Sequence, residues 1–177
     1  MALCDTFLWL ATENVYSLRW SAHVLEEVRR NLVARNLCSP DRADWRVGVM
    51  RDYFEDAEIS GYERLIESQT QCGDKNDRHV VAAAIVGGVD QIVTNNLSDF
   101  PAVIEPSGID VVSPDEFLLN ALDIYPKATI RALNNQVANL MRPPLSVSQV
   151  LASLARCGVP RFACEVAATI DRISSGP

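Results

Sequence analysis

Up to about Tyr125 the apolar positions of the chain switch repeatedly between helical and extended spacing; beyond Tyr125-Pro126 only the helical spacing continues. Leu8 to Ala11 closes a helix, and Tyr16 to Trp20 reads as a short strand. Ser21 can cap a helix running to about Asn36, whose inward stripe is Val24, Leu25, Val28 and Leu32. Ser39-Pro40, a cap residue followed by proline at the first helical position, opens a helix to about Phe54. Ala57 to Ser60 is a short strand, and the polar stretch up to Gly73 is irregular.

Asp74 to Gly87 is the most apolar helix. Its run Val80-Val81-Ala82-Ala83-Ala84-Ile85-Val86 covers nearly the whole circumference, so it must be buried on more than one side. Gly87-Gly88 ends it. Gln91 to Thr94 and Ile109 to Val112 are strands of the buried type. Ser113-Pro114-Asp115-Glu116 supplies cap, proline and capping-box glutamate for the next helix. After Pro126 the pattern predicts a helix to about Met141, a break at Pro143-Pro144, a helix from Ser146 (box partner Gln149) to Cys157, and a last one after Pro160. Alternating elements followed by helices alone give an α/β class, with a parallel sheet flanked by helices over residues 1–124 and a small all-helical extension over 125–177.

Composition narrows the possibilities. A 177-residue chain with 48% hydrophobic residues can bury a core. No run approaches the roughly 18 apolar residues of a membrane span, and no basic-then-apolar leader opens the chain, so a cytoplasmic protein is expected. The five cysteines Cys4, Cys38, Cys72, Cys157 and Cys164 contain no CxxC pair and read as reduced, mostly buried small residues. A net charge of −7 opposes binding of nucleic acid through a broad basic face, so an RNA substrate would need bound cations, a local arginine patch or a partner chain.

Three acidic segments could carry chemistry. Asp77 shares a helical stripe with Val81 and Ala84 and points inward. An unpaired inward carboxylate costs several kcal/mol, of which a helix N-terminus returns only roughly 0.3–1 kcal/mol, so a cation or donor cluster is required. The bland alternative is a carboxylate capping its own helix, a role that Asp74 can fill instead. Thr94-Asn95-Asn96-Leu97-Ser98-Asp99 follows a strand, where open parallel sheets build their ligand crevices; it is also ordinary loop composition. Glu27 flanks the apolar stripe of its helix, whereas Glu26 lies further round beside Arg29 and Arg30. His23 and His79 read as ordinary, partly exposed histidines, with His79 turned away from Asp77. Trp9, Trp20 and Trp45 read as core or interface anchors.

Taken together, the spacing Ser21 to Glu27, the Asp77 helix with its alanine-rich continuation, and Thr94 to Phe100 resemble the PIN-domain family, in particular VapC-like toxins with a helical C-terminal extension. The resemblance covers about Asp5 to Leu119 and implies a PIN-like three-layer fold. It further implies a metal-dependent endoribonuclease, the toxin of a type II toxin-antitoxin module, in which clustered acids hold Mg²⁺ or Mn²⁺ against an RNA phosphodiester. Glu27, Asp77 and Asp99 are then the catalytic and metal-binding acids, and Thr94 and Asn96 orient them or touch substrate. A cognate antitoxin, RNA and a second copy of the chain are the implied partners.

The start departs from the family, which opens with an apolar strand ending in its first catalytic aspartate. Ala2-Leu3-Cys4-Asp5-Thr6 imitates that ending, but Asp5-Thr6-Phe7-Leu8 aligns better with the interior of the first helix, so that strand is expected to be missing or shortened. Two other classes stay open: a non-catalytic remnant that binds an antitoxin or another protein, and a phosphate-binding α/β regulator with acids around Mg²⁺.

Overall fold

A computed structural model describes residues 2–140 and 144–174. The chain forms two compact units, residues 1–17, 93–95 and 112–177 in the first, and 18–92 with 96–111 in the second.

The first unit is helical: α1 (Ala2–Thr12), α5 (Pro114–Ile124), α6 (Pro126–Ala138), α7 (Val147–Arg156) and α8 (Pro160–Ser174). Its core holds Leu10, Leu118, Leu133, Val150, Leu154, Phe162 and Val166, all essentially inaccessible to water. Each such side chain stabilises the fold by about 1.5–3 kcal/mol relative to exposure. The starts of these helices follow from local chemistry. Ser113 Oγ accepts from the Glu116 N–H (3.2 Å) with Pro114 in the first turn. Ser146 and Gln149 form a reciprocal capping box. The cap of α8 comes from elsewhere in the sequence: buried Asp115 accepts from the Phe162 N–H at 2.9 Å. A second buried polar pair, Thr6 Oγ1 donating to Gln136 Oε1 at 2.8 Å, ties α1 to α6. The expected end of α6 at Met141 and the break at Pro143 lie outside the described residues.

The second unit contains β1 (Trp20–Ser21), α2 (Ala22–Ala34), α3 (Pro40–Tyr53), β2 (Glu58–Ile59), a 3₁₀ stretch (Glu63–Ser68), α4 (Arg78–Gly87), β4 (Val103–Ile104) and all but the last residue of β3 (Gln91–Val93) and of β5 (Ile109–Val112). Ser21 and Ser39 cap α2 and α3 as the sequence predicts. β1 and β2 pair in parallel, Trp20 beside Glu58. β5 lies between β3 and β4, and β4 runs antiparallel to it with Val103 opposite Asp110. The α/β class holds, but its strands form two small sheets, and β4 carries no alternation that would announce it.

The packing of α4 explains its composition. Val81 and Ala84 face Cys72, Ile92, Phe100, Ile104 and Ile109. Ala82 and Ala83 face Tyr62, with Ile59, Leu65 and Ile66 against them. Small residues make room for side chains on that second side: a Cβ on Gly87 would collide with the Ile59 side chain. Gly88, at φ 56°, ends the helix in the left-handed conformation that glycine adopts without steric cost. Of the tryptophans, Trp20 is buried, whereas Trp45 is 64% exposed and anchors no core.

Candidate metal centre

Asp77 ends a 3₁₀ turn (Lys75–Asp77) and occupies the N-cap position of α4, yet its side chain makes no capping bond. Asp74 does cap, accepting from the Asn76 N–H at 2.9 Å. The carboxyl of Asp77 is thus left for another role, and it turns toward the loop after β3. There Asn96 Nδ2 donates to Asp77 Oδ2 (3.0 Å) and to Asp99 Oδ2 (2.5 Å). Ser98 Oγ donates to Asn96 Oδ1 (3.2 Å), which keeps the amide nitrogen facing the two acids. A backbone bond from the Gly73 N–H to the Asp99 carbonyl (2.7 Å) latches the loop to the segment before the 3₁₀ turn.

Ligand oxygens of Asp74, Asp77 and Asp99 all lie within 4.8 Å of one another. Asp77 titrates above the ordinary aspartate range, first because of burial and then because Asp74 lies close; Asp99 and Glu27 push the same way, and the Asn96 hydrogen bond opposes them. The charges that shift it are all negative. Burial raises the neighbouring Cys72 thiol too, with Asp77, Asp74 and Asp99 adding to the effect and a backbone hydrogen bond at Asp74 opposing it. Hard carboxylate oxygens at this mutual spacing are the donor set Mg²⁺ or Mn²⁺ prefers, and a divalent ion would remove the repulsion that raises Asp77. The residues present therefore fit such an ion.

The sequence-predicted residues divide as follows. Asp77 and Asp99 are brought together, and Asn96 bridges them. Asp74, assigned only a capping role from sequence, belongs to the same cluster. Glu27 stands outside the mutual 4.8 Å set; its Oε1 lies 3.2 Å from His79 Nε2, and its charge still acts on Asp77. Glu26 points the other way, into an ion pair with Arg29 at 2.8 Å. Thr94 falls in the first unit, where its N–H donates to the Val112 carbonyl at 3.0 Å. Asp5 lies inside α1. His79 departs from expectation: it is 7% exposed and bonded to a site acid, not an ordinary surface histidine. A histidine two residues past an inward-facing acid, at the start of a helix otherwise rich in alanine and valine, was the available signal.

Residues 114–168 match the VapC50 C-terminal domain family. Over 106 residues, 59% of this chain, the sequence is 37% identical to a Mycobacterium tuberculosis (strain ATCC 25618 / H37Rv) protein named "Putative ribonuclease VapC50". The aligned stretch spans 61% of that relative's length. No solved structure matches. Residues 3–98, more than half of the chain, match the PIN domain family, and with the acid cluster lying just before α4 and in the loop after β3, this chain belongs to the PIN-domain family.

Proposed function

We propose that the protein is a Mg²⁺- or Mn²⁺-dependent endoribonuclease, the toxin of a type II toxin-antitoxin module held in check by a cognate antitoxin. In this reading residues 1–124 are the nuclease part, residues 125–177 are its helical extension, and the active form is a cytoplasmic homodimer. The observation that carries it is the convergence of Asp74, Asp77 and Asp99 with no positive side chain among the groups that shift Asp77. Asp77 and Asp99 hold the ion, Asp74 completes the oxygen set, and Glu27 ligates it or accepts a proton. The bound cation supplies positive charge that offsets the phosphodiester and activates water. Asn96 keeps the two acids aimed at one point, and Thr94 orients the acids or touches substrate. The ribonuclease name of the mycobacterial relative supports the substrate class. The net charge of −7 makes a cation at the site the natural mediator with RNA.

Cleavage of end-labelled RNA by purified protein, with MgCl₂ or with EDTA, tests this. Asp77→Ala should abolish Mg²⁺-dependent cleavage, a loss of at least about 100-fold on the scale of lost metal-centre electrostatics. Unchanged cleavage in that variant would refute the assignment.

One observation favours a second reading. Asp5, the residue that imitates the family's first aspartate, sits within α1 and not at the end of a strand. In that reading Asp5 supplies no ligand, and the domain binds metal feebly and serves as an antitoxin-binding remnant. Calorimetry with MgCl₂ separates the two, since the remnant should give no saturable heat.

A further inference from the structure

The mechanism above gives no role to a connected set of polar rings beside Glu27, His79 and Tyr62 buried and His23 exposed. His79, on the first turn of α4, is 7% exposed. Its Nε2 lies 3.2 Å from Glu27 Oε1, across fifty-two residues of sequence. The ring packs against His23, centroids 5.1 Å apart at an interplanar angle of 32°. His23 Nδ1 lies 2.6 Å from the hydroxyl of Tyr62, a residue 1% exposed. The remaining nitrogen of His79, Nδ1, is buried with no hydrogen-bond partner.

That last fact favours the Nε2–H form of the neutral ring. With the proton on Nδ1, a buried N–H donor would be orphaned and the Nε2 lone pair would face a carboxylate oxygen; both arrangements are unfavourable. With the proton on Nε2, the N–H meets Glu27 and a single acceptor lone pair, that of Nδ1, is left without a partner. Glu27 needs such a support because its side chain is 40% exposed and on α2, with several rotatable bonds. Nothing else among its described hydrogen bonds or ion pairs holds it. Its charge nonetheless reaches Asp77.

We propose that His79 is a positioning residue: buried on the first turn of α4 with its ring against His23, it donates from Nε2 to Glu27 and holds that carboxylate toward the Asp74, Asp77 and Asp99 cluster. The proposal rests on the metal-centre reading given above. Histidine and carboxylate partners outside a metal's direct ligands typically change its affinity by about 10–100-fold when removed.

The test is calorimetric titration of the full chain with MnCl₂, alongside thermal unfolding in EDTA, for wild type, His79→Leu, His79→Gln, Glu27→Gln, Glu27→Gln/His79→Leu and Asp77→Asn. Leucine fills the space without a donor, whereas the glutamine amide can reach Glu27. His79→Leu should weaken Mn²⁺ binding by about 10-fold or more, His79→Gln should recover most of the loss, and His79→Leu should add nothing in the Glu27→Gln background. Equal Mn²⁺ affinity in His79→Leu and wild type, or an undiminished His79→Leu effect once Glu27 is Gln, overturns the positioning role. If His79→Leu does not fold, failure of His79→Gln to bind Mn²⁺ within about threefold of wild type, while it melts normally, overturns it as well. Asp77→Asn separates the two levels: wild-type Mn²⁺ binding in that variant sinks the metal centre itself, whereas its loss beside an unaffected His79→Leu sinks only the positioning role.

Discussion

Replacing Asp77 with Asn should make the metal-free protein more stable while removing its response to metal. Oxygens of Asp74 and Asp99 lie within 4.8 Å of one on Asp77. Two unit charges at that separation repel by about 0.9 kcal/mol in bulk water and about 3.5 kcal/mol at an effective dielectric constant of about 20. Asp77 is only half-buried, so the screened end of that range applies, and losing the charge should relieve on the order of 1–2 kcal/mol. Asparagine keeps an oxygen to accept from Asn96, so the bridging hydrogen bond survives. For a chain of this size that relief corresponds to a rise in Tm of roughly 2–8 °C in EDTA. The pH dependence follows from the direction of the shift. Because the folded state holds the Asp77 proton more tightly than the unfolded state, this group's favourable contribution is full below the ordinary aspartate value of about 3.9 and is lost as pH rises through the raised one. Asp77→Asn should lack that decline. Adding MgCl₂ at about 100 times Kd should then stabilise wild type by about 2.7 kcal/mol and leave the variant unmoved, reversing their order. Differential scanning calorimetry in EDTA and in MgCl₂ reads both effects. A variant that melts below wild type without metal, or that gains as much from MgCl₂, would refute the reasoning.

Two further outcomes follow from single contacts. Asn96→Ala removes the one hydrogen bond that holds Asp77 down, so its carboxyl should titrate still higher; a carboxyl-detected NMR titration showing no change or a fall would contradict the bridging role. Asp115→Ala strips the buried acceptor from the Phe162 N–H and uncaps α8, costing about 1–3 kcal/mol and lowering the urea midpoint, whereas an unmoved midpoint would mean water replaces the carboxylate.

What could be read from sequence tracks how local its cause is. Ser21, Ser39, Ser113 and Ser146 mark helix starts because each accepts from an N–H three residues on, a bond that needs no tertiary partner. The many-sided burial of α4 was legible because a run of alanine and valine has no polar face to present. β4 was not legible: Val103 and Ile104 are a strand only because β5 pairs with them. At the site, Asp77 and Asp99 announced themselves by position, but Asp74 looked fully explained by its capping bond, and a side chain with two oxygens can do both. His79 was misread because helical spacing compares it only with its own helix, where it faces away from Asp77. The carboxylate it meets comes from α2.

The carboxylates repel, yet the described hydrogen bonds that aim Asp77 and Asp99 come from uncharged groups: a side-chain amide between the two, a hydroxyl on that amide, and a backbone bond from Gly73 to Asp99. Neutral donors orient acids without neutralising them. An arginine in the place of Asn96 would also hold both oxygens, but its charge would satisfy the site and compete with any incoming cation. The surrounding structure tolerates the residual repulsion because α4 is packed on two sides, by the three-stranded sheet and its neighbours and by the 3₁₀ stretch with β2, so the acids cannot separate by moving the helix. On the proposed metal-centre reading, acids held in this way stay unsatisfied without an ion, and the stability that Asp77→Asn recovers in EDTA measures that demand.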